Sequence, residues 1–248
     1  MSKPLICLPD LSTRANIPEL MDDPHSDPRL LANTLGQFRL INLLFSPVRR
    51  LLKKQVLKSM MRAPQREHHL VDLGAGSCET AVWLLSQARR KGLRMRITAC
   101  DHDPRVIQYA KNKYGHTRYL TICQRNVFDI DDLQPIDFVF ANHLVHHLSD
   151  ADIHRLLGAL ARLKETKVII SDLHRSRLVY TAFYLISAVF FRRSFVRYDG
   201  LLSVRKAFTE PEFNNIMQAA VPRSTVYQIK RMFPGHIVLL LETPSQPD

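Results

Sequence analysis

Three short stretches of the chain concentrate the residues able to do chemistry. The first is Leu70-Val71-Asp72-Leu73-Gly74-Ala75-Gly76-Ser77-Cys78-Glu79-Thr80, which passes from an apolar run through glycines into a helix start. A strand, a tight turn and a helix N-terminus in succession form a cradle for a ligand. Gly74 and Gly76 can take backbone angles closed to other residues and leave room where a side chain would intrude. The spacing is neither a dinucleotide fingerprint, whose last glycine is replaced here by Glu79, nor a phosphate loop, which needs Gly-Lys-Ser/Thr. Asp72 ahead of the glycines is poor company for a pyrophosphate and good company for an amine. The second stretch, Ala99-Cys100-Asp101-His102-Asp103-Pro104, offers a carboxylate that can accept two hydrogen bonds from adjacent hydroxyls or cap a helix. The third, Ala141-Asn142-His143-Leu144-Val145-His146-His147-Leu148-Ser149-Asp150, carries three histidines, whose titration near neutrality suits proton removal. His143 and His146, three residues apart, can share a helical face. His147 reads as structural, and each histidine could instead be an ordinary hydrogen-bonded residue.

These stretches need elements that bring them to one edge. Short apolar runs at about 69–73, 95–100, 119–124, 136–141 and 167–171 alternate with amphipathic segments at about 80–90, 104–114 and 149–163, which predicts a parallel sheet covered on both faces. Gly92 and Gly115 end the first two of those helices. Ser149 and Thr209 open capping-box patterns, the latter starting a helix to about 220. Two further runs, 225–230 and 236–241, joined through Phe233-Pro234-Gly235, read as an antiparallel pair. Ahead of the sheet, Pro4, Pro9, Pro18, Pro24 and Pro28 punctuate an irregular start. Ser26-Asp27-Pro28 signals a helix, whose apolar positions include Leu31, Leu35, Phe38, Ile41, Leu44 and Phe45. Pro47 divides it from a second helix with a basic, solvated face of Arg49, Arg50, Lys53, Lys54, Lys58 and Arg62. The stretch Leu178 to Phe191 is almost wholly apolar between arginines, yet too short to span a membrane.

The glycine segment resembles motif I of the class I S-adenosylmethionine (SAM) dependent methyltransferases, hydrophobic-Asp/Glu-x-Gly-x-Gly-x-Gly. Asp72, Gly74 and Gly76 match, and Cys78 stands where a third glycine is common. Parallel strands ending in an antiparallel hairpin resemble the same family from about Leu70 to Glu242. The resemblance implies an α/β, Rossmann-like sheet of seven strands in the order 3-2-1-4-5-7-6 with strand 7 antiparallel. An N-terminal helical cap (1–64) would precede a SAM-binding domain (65–248) with a lid-like helical insert at about 175–208. It further implies SAM as cofactor, leaving as S-adenosylhomocysteine. Asp72 and the Gly74-Ala75-Gly76 turn would sit at its methionine end and Asp101 at the ribose. His102, Asn126 (where the family commonly has aspartate) and Val127 would meet the adenine. Asn142 would lie in the loop beside the methyl group, with His146 or His143 as candidate base. His174, Phe183, Tyr184 and Tyr198 would line an acceptor pocket, although core packing explains the aromatics as well.

With 248 residues, 46% hydrophobic and 23% charged, the chain has an ordinary globular composition and room for one large domain or one domain with an added cap. Its four scattered cysteines suggest neither disulfides nor a zinc site, and no carboxylate/histidine metal cluster stands out. A cytoplasmic location is expected, with peripheral membrane contact through the apolar insert left open. The net charge of +12 raises the alternative of an RNA methyltransferase, but no Asn-Pro-Pro-Tyr motif follows the fourth strand and no RNA-binding module is evident, so no nucleic acid is expected. A non-catalytic SAM-binding protein is the other alternative. The favoured reading is methylation of a small, largely apolar aromatic or quinone-like acceptor, similar to the quinone-biosynthesis and polyketide methyltransferases. O-methylation of a phenol, quinol or polyketide comes first and C-methylation close behind.

Overall fold

The computed structural model describes residues 9–44 and 46–243; Pro4, Cys7 and Phe45 lie outside the described residues. Among the described residues, seven strands form one sheet in the order β3-β2-β1-β4-β5-β7-β6. They are β1 (Glu67–Leu73), β2 (Arg94–Asp101), β3 (Leu120–Gln124), β4 (Phe138–Asn142), β5 (Lys167–Leu173), β6 (Tyr227–Met232) and β7 (His236–Glu242). The first five run parallel, and β7 pairs antiparallel with both β5 and β6. This is the expected order, with strand ends displaced by one or two residues.

Helices cover both faces. They are α1 (Pro28–Leu44), α2 (Val48–Leu52), α3 (Lys58–Met60), α4 (Glu79–Arg90), α5 (Pro104–Tyr114), α6 (Asp150–Ala161), α7 (Arg177–Phe190), α8 (Val196–Lys206) and α9 (Glu210–Ala220). A five-residue π-helical stretch, Lys53–Leu57, joins α2 to α3. Alternation along a strand sends successive side chains to opposite faces. Leu70 accordingly packs with α2–α5 on one face, while Val71 packs with α6 and α9 on the other.

The N-terminal helices divide between two roles. Val48, Leu51, Leu52, Val56, Leu57 and Met60 are buried in the main core against Leu70, Leu84 and Ile97, so this segment is part of the sheet's covering. Its basic side chains are exposed at Arg50, Lys53, Lys54, Lys58 and Arg62. α1 instead packs Leu31 and Leu35 with Val106 of α5 and Phe195 ahead of α8.

Short polar devices close the elements. Asp103 caps α5, its carboxylate accepting from Arg105 N at 2.8 Å. Ser149 caps α6, and Glu212 reaches back to Thr209 N at 2.8 Å in a capping box. The apolar insert forms two helices. Phe183 and Phe191 of the insert pack together with Val196, and a Cβ on Gly200 would lie 2.3 Å from the Phe183 ring. Leu178, Leu185, Val189 and Phe190 of α7 remain exposed, and no helix among the described residues is long and apolar enough to cross a membrane.

Candidate active site

Strand order sets the site. β1 is central, and its carboxyl end lies between β2 and β4, so the three chemical stretches meet at one edge. Open α/β sheets bind ligands at that edge, where the chain order reverses.

The glycine turn after β1 places every second residue from Gly74 to Cys78 in left-handed backbone. Gly74 has φ +65° and Gly76 φ +54°, and Cys78 at the N-cap of α4 has φ 58°. A Cβ on Gly74 would come within 2.9 Å of Leu144, and one on Gly76 within 3.4 Å of Phe38 of α1. The family position that usually holds a third glycine therefore has the backbone angle that favours glycine. Here it holds a buried cysteine, whose Sγ reaches Gly76 O at 3.8 Å.

Asp101 ties this turn to β2. It accepts from Gly76 N at 3.0 Å and from Asp103 N at 3.1 Å. Burial raises its pKa despite those two bonds. Asp72 is buried on the neighbouring strand. Burial, helped by the charge of Asp101, pushes its pKa up to about 8. His102 is exposed. Asn126 is also exposed, with its Oδ1 accepting from Phe128 N at 3.2 Å, and Val127 is 7% exposed in the core beneath it. Asn142 donates to Asn42 of α1 at 3.3 Å, which ties α1 to this edge.

The loop after β4 begins with His143 at φ 55°, partly exposed, its Nε2 2.7 Å from Nε2 of His236 on β7. One ring donates and the other accepts. Burial lowers the pKa of His143 to about 4 and that of His236 well below the usual value, so both rings are neutral at pH 7. His146 is placed differently. Its Nδ1 donates to Asp172 Oδ1 at 2.6 Å and its backbone N to Asp172 Oδ2 at 3.1 Å, while Nε2 faces Glu19 Oε1 at 3.6 Å. Burial favours the neutral acid at Asp172, but His146 outweighs it and holds the pKa well below the carboxylate range.

Glu19 and His236 are the residues that sequence reasoning missed. Glu19 belongs to an N-terminal segment pinned across the edge. Arg14 donates to Lys206 O at 2.8 Å and Leu148 O at 3.2 Å, and buried Arg175 donates to Leu11 O at 3.0 Å. Buried Asp199 accepts from Leu20 N at 2.8 Å and Met21 N at 3.0 Å. The expected acceptor residues do not converge. Phe183 is buried inside the insert, Tyr184 lies under Arg197 and Tyr198 is 54% exposed. His174 lines a separate groove of about 430 Å³ with Glu210, Pro211, Asn214 and Arg231.

Residues 70–166 match the family model of a methyltransferase domain. No curated protein matches the sequence. Among solved structures the chain is similar to human N-acetylserotonin methyltransferase in complex with SAM, at 16% identity over 85% of this chain and 55% of that one, with a TM-score of 0.59. It is similar to a SAM-dependent methyltransferase of Aquifex aeolicus at 15% identity, 87% and 97% coverage and a TM-score of 0.57. It is also similar to the magnesium protoporphyrin IX methyltransferase of Synechocystis with bound SAH at 12% identity, 87% and 97% coverage and a TM-score of 0.54. The chain thus spans about half of the human enzyme and nearly all of the other two. The domain match covers residues 70–166, and the solved structures share the Rossmann-like fold that the strand order describes.

Proposed function

We propose that the protein transfers the methyl group of SAM to an oxygen of a small, largely apolar acceptor such as a phenol, quinol or polyketide. The observation that carries this reading is the neutral His143–His236 pair on the loop after β4, whose next residue, Leu144, lies against Gly74. Methyl transfer is an in-line displacement at the sulfonium carbon, so the site's first task is to hold nucleophile and methyl in line. An oxygen nucleophile must also lose a proton, and a neutral imidazole at neutral pH can take it. His143 is partly exposed and fits that role, with His236 holding its ring. His146 is a positioning residue: it is 2% exposed, and its Nδ1 donates to Asp172.

For the cofactor, Asp72 and the Gly74–Gly76 turn take the methionine end, where the ammonium of SAM would compensate the buried carboxylate. Asp101, with lone pairs beyond its two backbone bonds, takes the ribose hydroxyls. His102, Asn126 and Val127 take the adenine, and Phe38 and Asn142 close the pocket from α1 and β4. The exposed apolar residues of α7, flanked by Arg177, Arg192 and Arg193, support an acceptor drawn from an anionic bilayer surface.

Calorimetric titration with SAM, then turnover on a panel of phenols and quinols with labelled methyl, tests the reading. SAM binding with label on oxygen is expected. Label on carbon would transfer the reading to C-methylation, and turnover undiminished in His143→Ala would remove the base.

A further inference from the structure

We propose that Glu19, His146 and His147 form a binding site for one divalent transition-metal ion of the zinc class, fastening the N-terminal segment to the loop after β4. A carboxylate oxygen of Glu19 and one ring nitrogen of each histidine lie within 4.8 Å of one another. His146 Nε2 is 3.6 Å from Glu19 Oε1, and His147 Nε2 is 3.8 Å from Glu19 Oε2. Ligand atoms about 2.0–2.1 Å from a tetrahedral zinc stand on the order of 3.4 Å apart, so a small contraction completes the site.

The second observation is how the rings are held. Metal-binding histidines use their other nitrogen to donate to a carboxylate, which fixes the ring and directs a lone pair at the metal. Both histidines here do so, His146 Nδ1 to Asp172 at 2.6 Å and His147 Nδ1 to Asp22 at 3.2 Å. His146 is 2% exposed, and its Nε2 is buried without a hydrogen-bond partner while aimed at Glu19. An orphaned buried nitrogen facing a carboxylate calls for a cation or a proton between them. Two oxygen-and-nitrogen ligand types, histidine and carboxylate, suit zinc and its neighbours rather than magnesium or calcium. Lys206 Nζ, 3.3 Å from Glu19 Oε1, and Ser203 Oγ, 2.9 Å from the same oxygen, are the competing partners. Both compete at Oε1, the oxygen that faces His146, and neither touches Oε2, 3.8 Å from His147 Nε2.

The test uses the full chain stripped with a chelator and titrated with zinc alone and with cobalt alone, alongside Glu19→Gln, His147→Ala and Lys206→Met variants. One zinc per chain is expected, with a rise in Tm of about 5–10 °C at a hundredfold excess over Kd. Cobalt should give the visible bands of a nitrogen/oxygen site without the intense near-ultraviolet band of thiolate ligation, which excludes the cysteines as the source. Glu19→Gln and His147→Ala should each weaken zinc binding at least tenfold. Lys206→Met, which removes the rival cation, should bind zinc as tightly as the parent or tighter, and it keeps the test valid if a ligand variant fails to fold. No stoichiometric zinc, binding unchanged in both ligand variants, or binding abolished in Lys206→Met would each overturn the site.

Discussion

Replacing Asp72 with Asn probes the site and the fold together. With a folded-state pKa of about 8, Asp72 is about 90% protonated at pH 7. An unfolded aspartate titrates near 3.9. Below about pH 4 both states hold the proton and the residue is neutral to stability. Between pH 4 and pH 8 only the folded state holds it, so stability falls as pH rises. At about 1.4 kcal/mol per pH unit, the gap between Asp72→Asn and wild type should widen in the variant's favour by about 2–3 kcal/mol from pH 5.5 to pH 8. Urea unfolding at the two pH values measures it. The same carboxyl should ionise when the SAM ammonium arrives, because an opposite charge favours the charged form. Calorimetry at pH 7 in buffers of different ionisation enthalpy should then show release of about 0.9 proton per SAM bound, and almost none in Asp72→Asn. Parallel pH dependences of stability in the two proteins would refute the raised pKa. Equal proton release in both would refute the placement of the ammonium.

Other expectations follow from the same edge. Cys78→Gly should be more stable than Cys78→Ala by about 0.5–1 kcal/mol, the reverse of the usual order, because the left-handed backbone is retained and only glycine relieves it; the opposite order in thermal unfolding would remove the strain argument. His143→Ala should lose on the order of a hundredfold in kcat while SAM affinity is unchanged. With the His143 pKa depressed to about 4 by burial, the ring is deprotonated throughout pH 5.5–8, so wild-type kcat/KM should show no acid limb there; an inflection near 6.5 that vanishes in the variant would contradict it. Arg175→Met breaks a buried guanidinium's bonds to Leu11 O, Ala207 O and Glu212 and should destabilise by about 3–5 kcal/mol; a loss under about 1 kcal/mol would show that the N-terminal segment is not held this way. The protein should sediment with anionic but not neutral vesicles, and Leu185→Glu with Val189→Glu should abolish this; equal binding to both lipids would count against α7 as the contact.

Local pattern made most of the fold legible. Apolar runs punctuated by glycine and proline located the strands, because parallel strands buried on both faces are continuous apolar segments. Pro47 and the serine and threonine caps marked helix ends by the same local chemistry that forms them. The glycine turn was readable because backbone angle is a property of single residues. Even Cys78, the departure from the motif, has the angle expected of the missing glycine. The acceptor side was less legible. Phe183 and Tyr198 looked alike as aromatics in one apolar insert, and only the packing of α7 on α8 buries the first and exposes the second. Glu19 had no local signal at all: it reaches His146 because Asp199 and Ser203 of α8 fix the N-terminal segment. A charge cluster assembled from distant segments has no period for sequence reading to detect.

Two buried carboxylates at this edge point to what the site lacks a counter-charge for. Asp72 and Asp172 each stand one residue before the end of an inner strand, and both are 3% exposed. Desolvation alone would raise both. It succeeds at Asp72, where the nearest influence is another acid, Asp101. It fails at Asp172, where the His146 ring and backbone N–H groups stabilise the anion. The difference is therefore not burial but the presence of a built-in hydrogen-bonding partner. A protein that retains a buried acid without one accepts a stability loss that Asn would avoid. That loss is repaid when a ligand brings the charge, and the ammonium of the cofactor is a cation of the right kind. On this reasoning Asp172 belongs to the scaffold that aims the histidine loop, and Asp72 answers to the proposed cofactor.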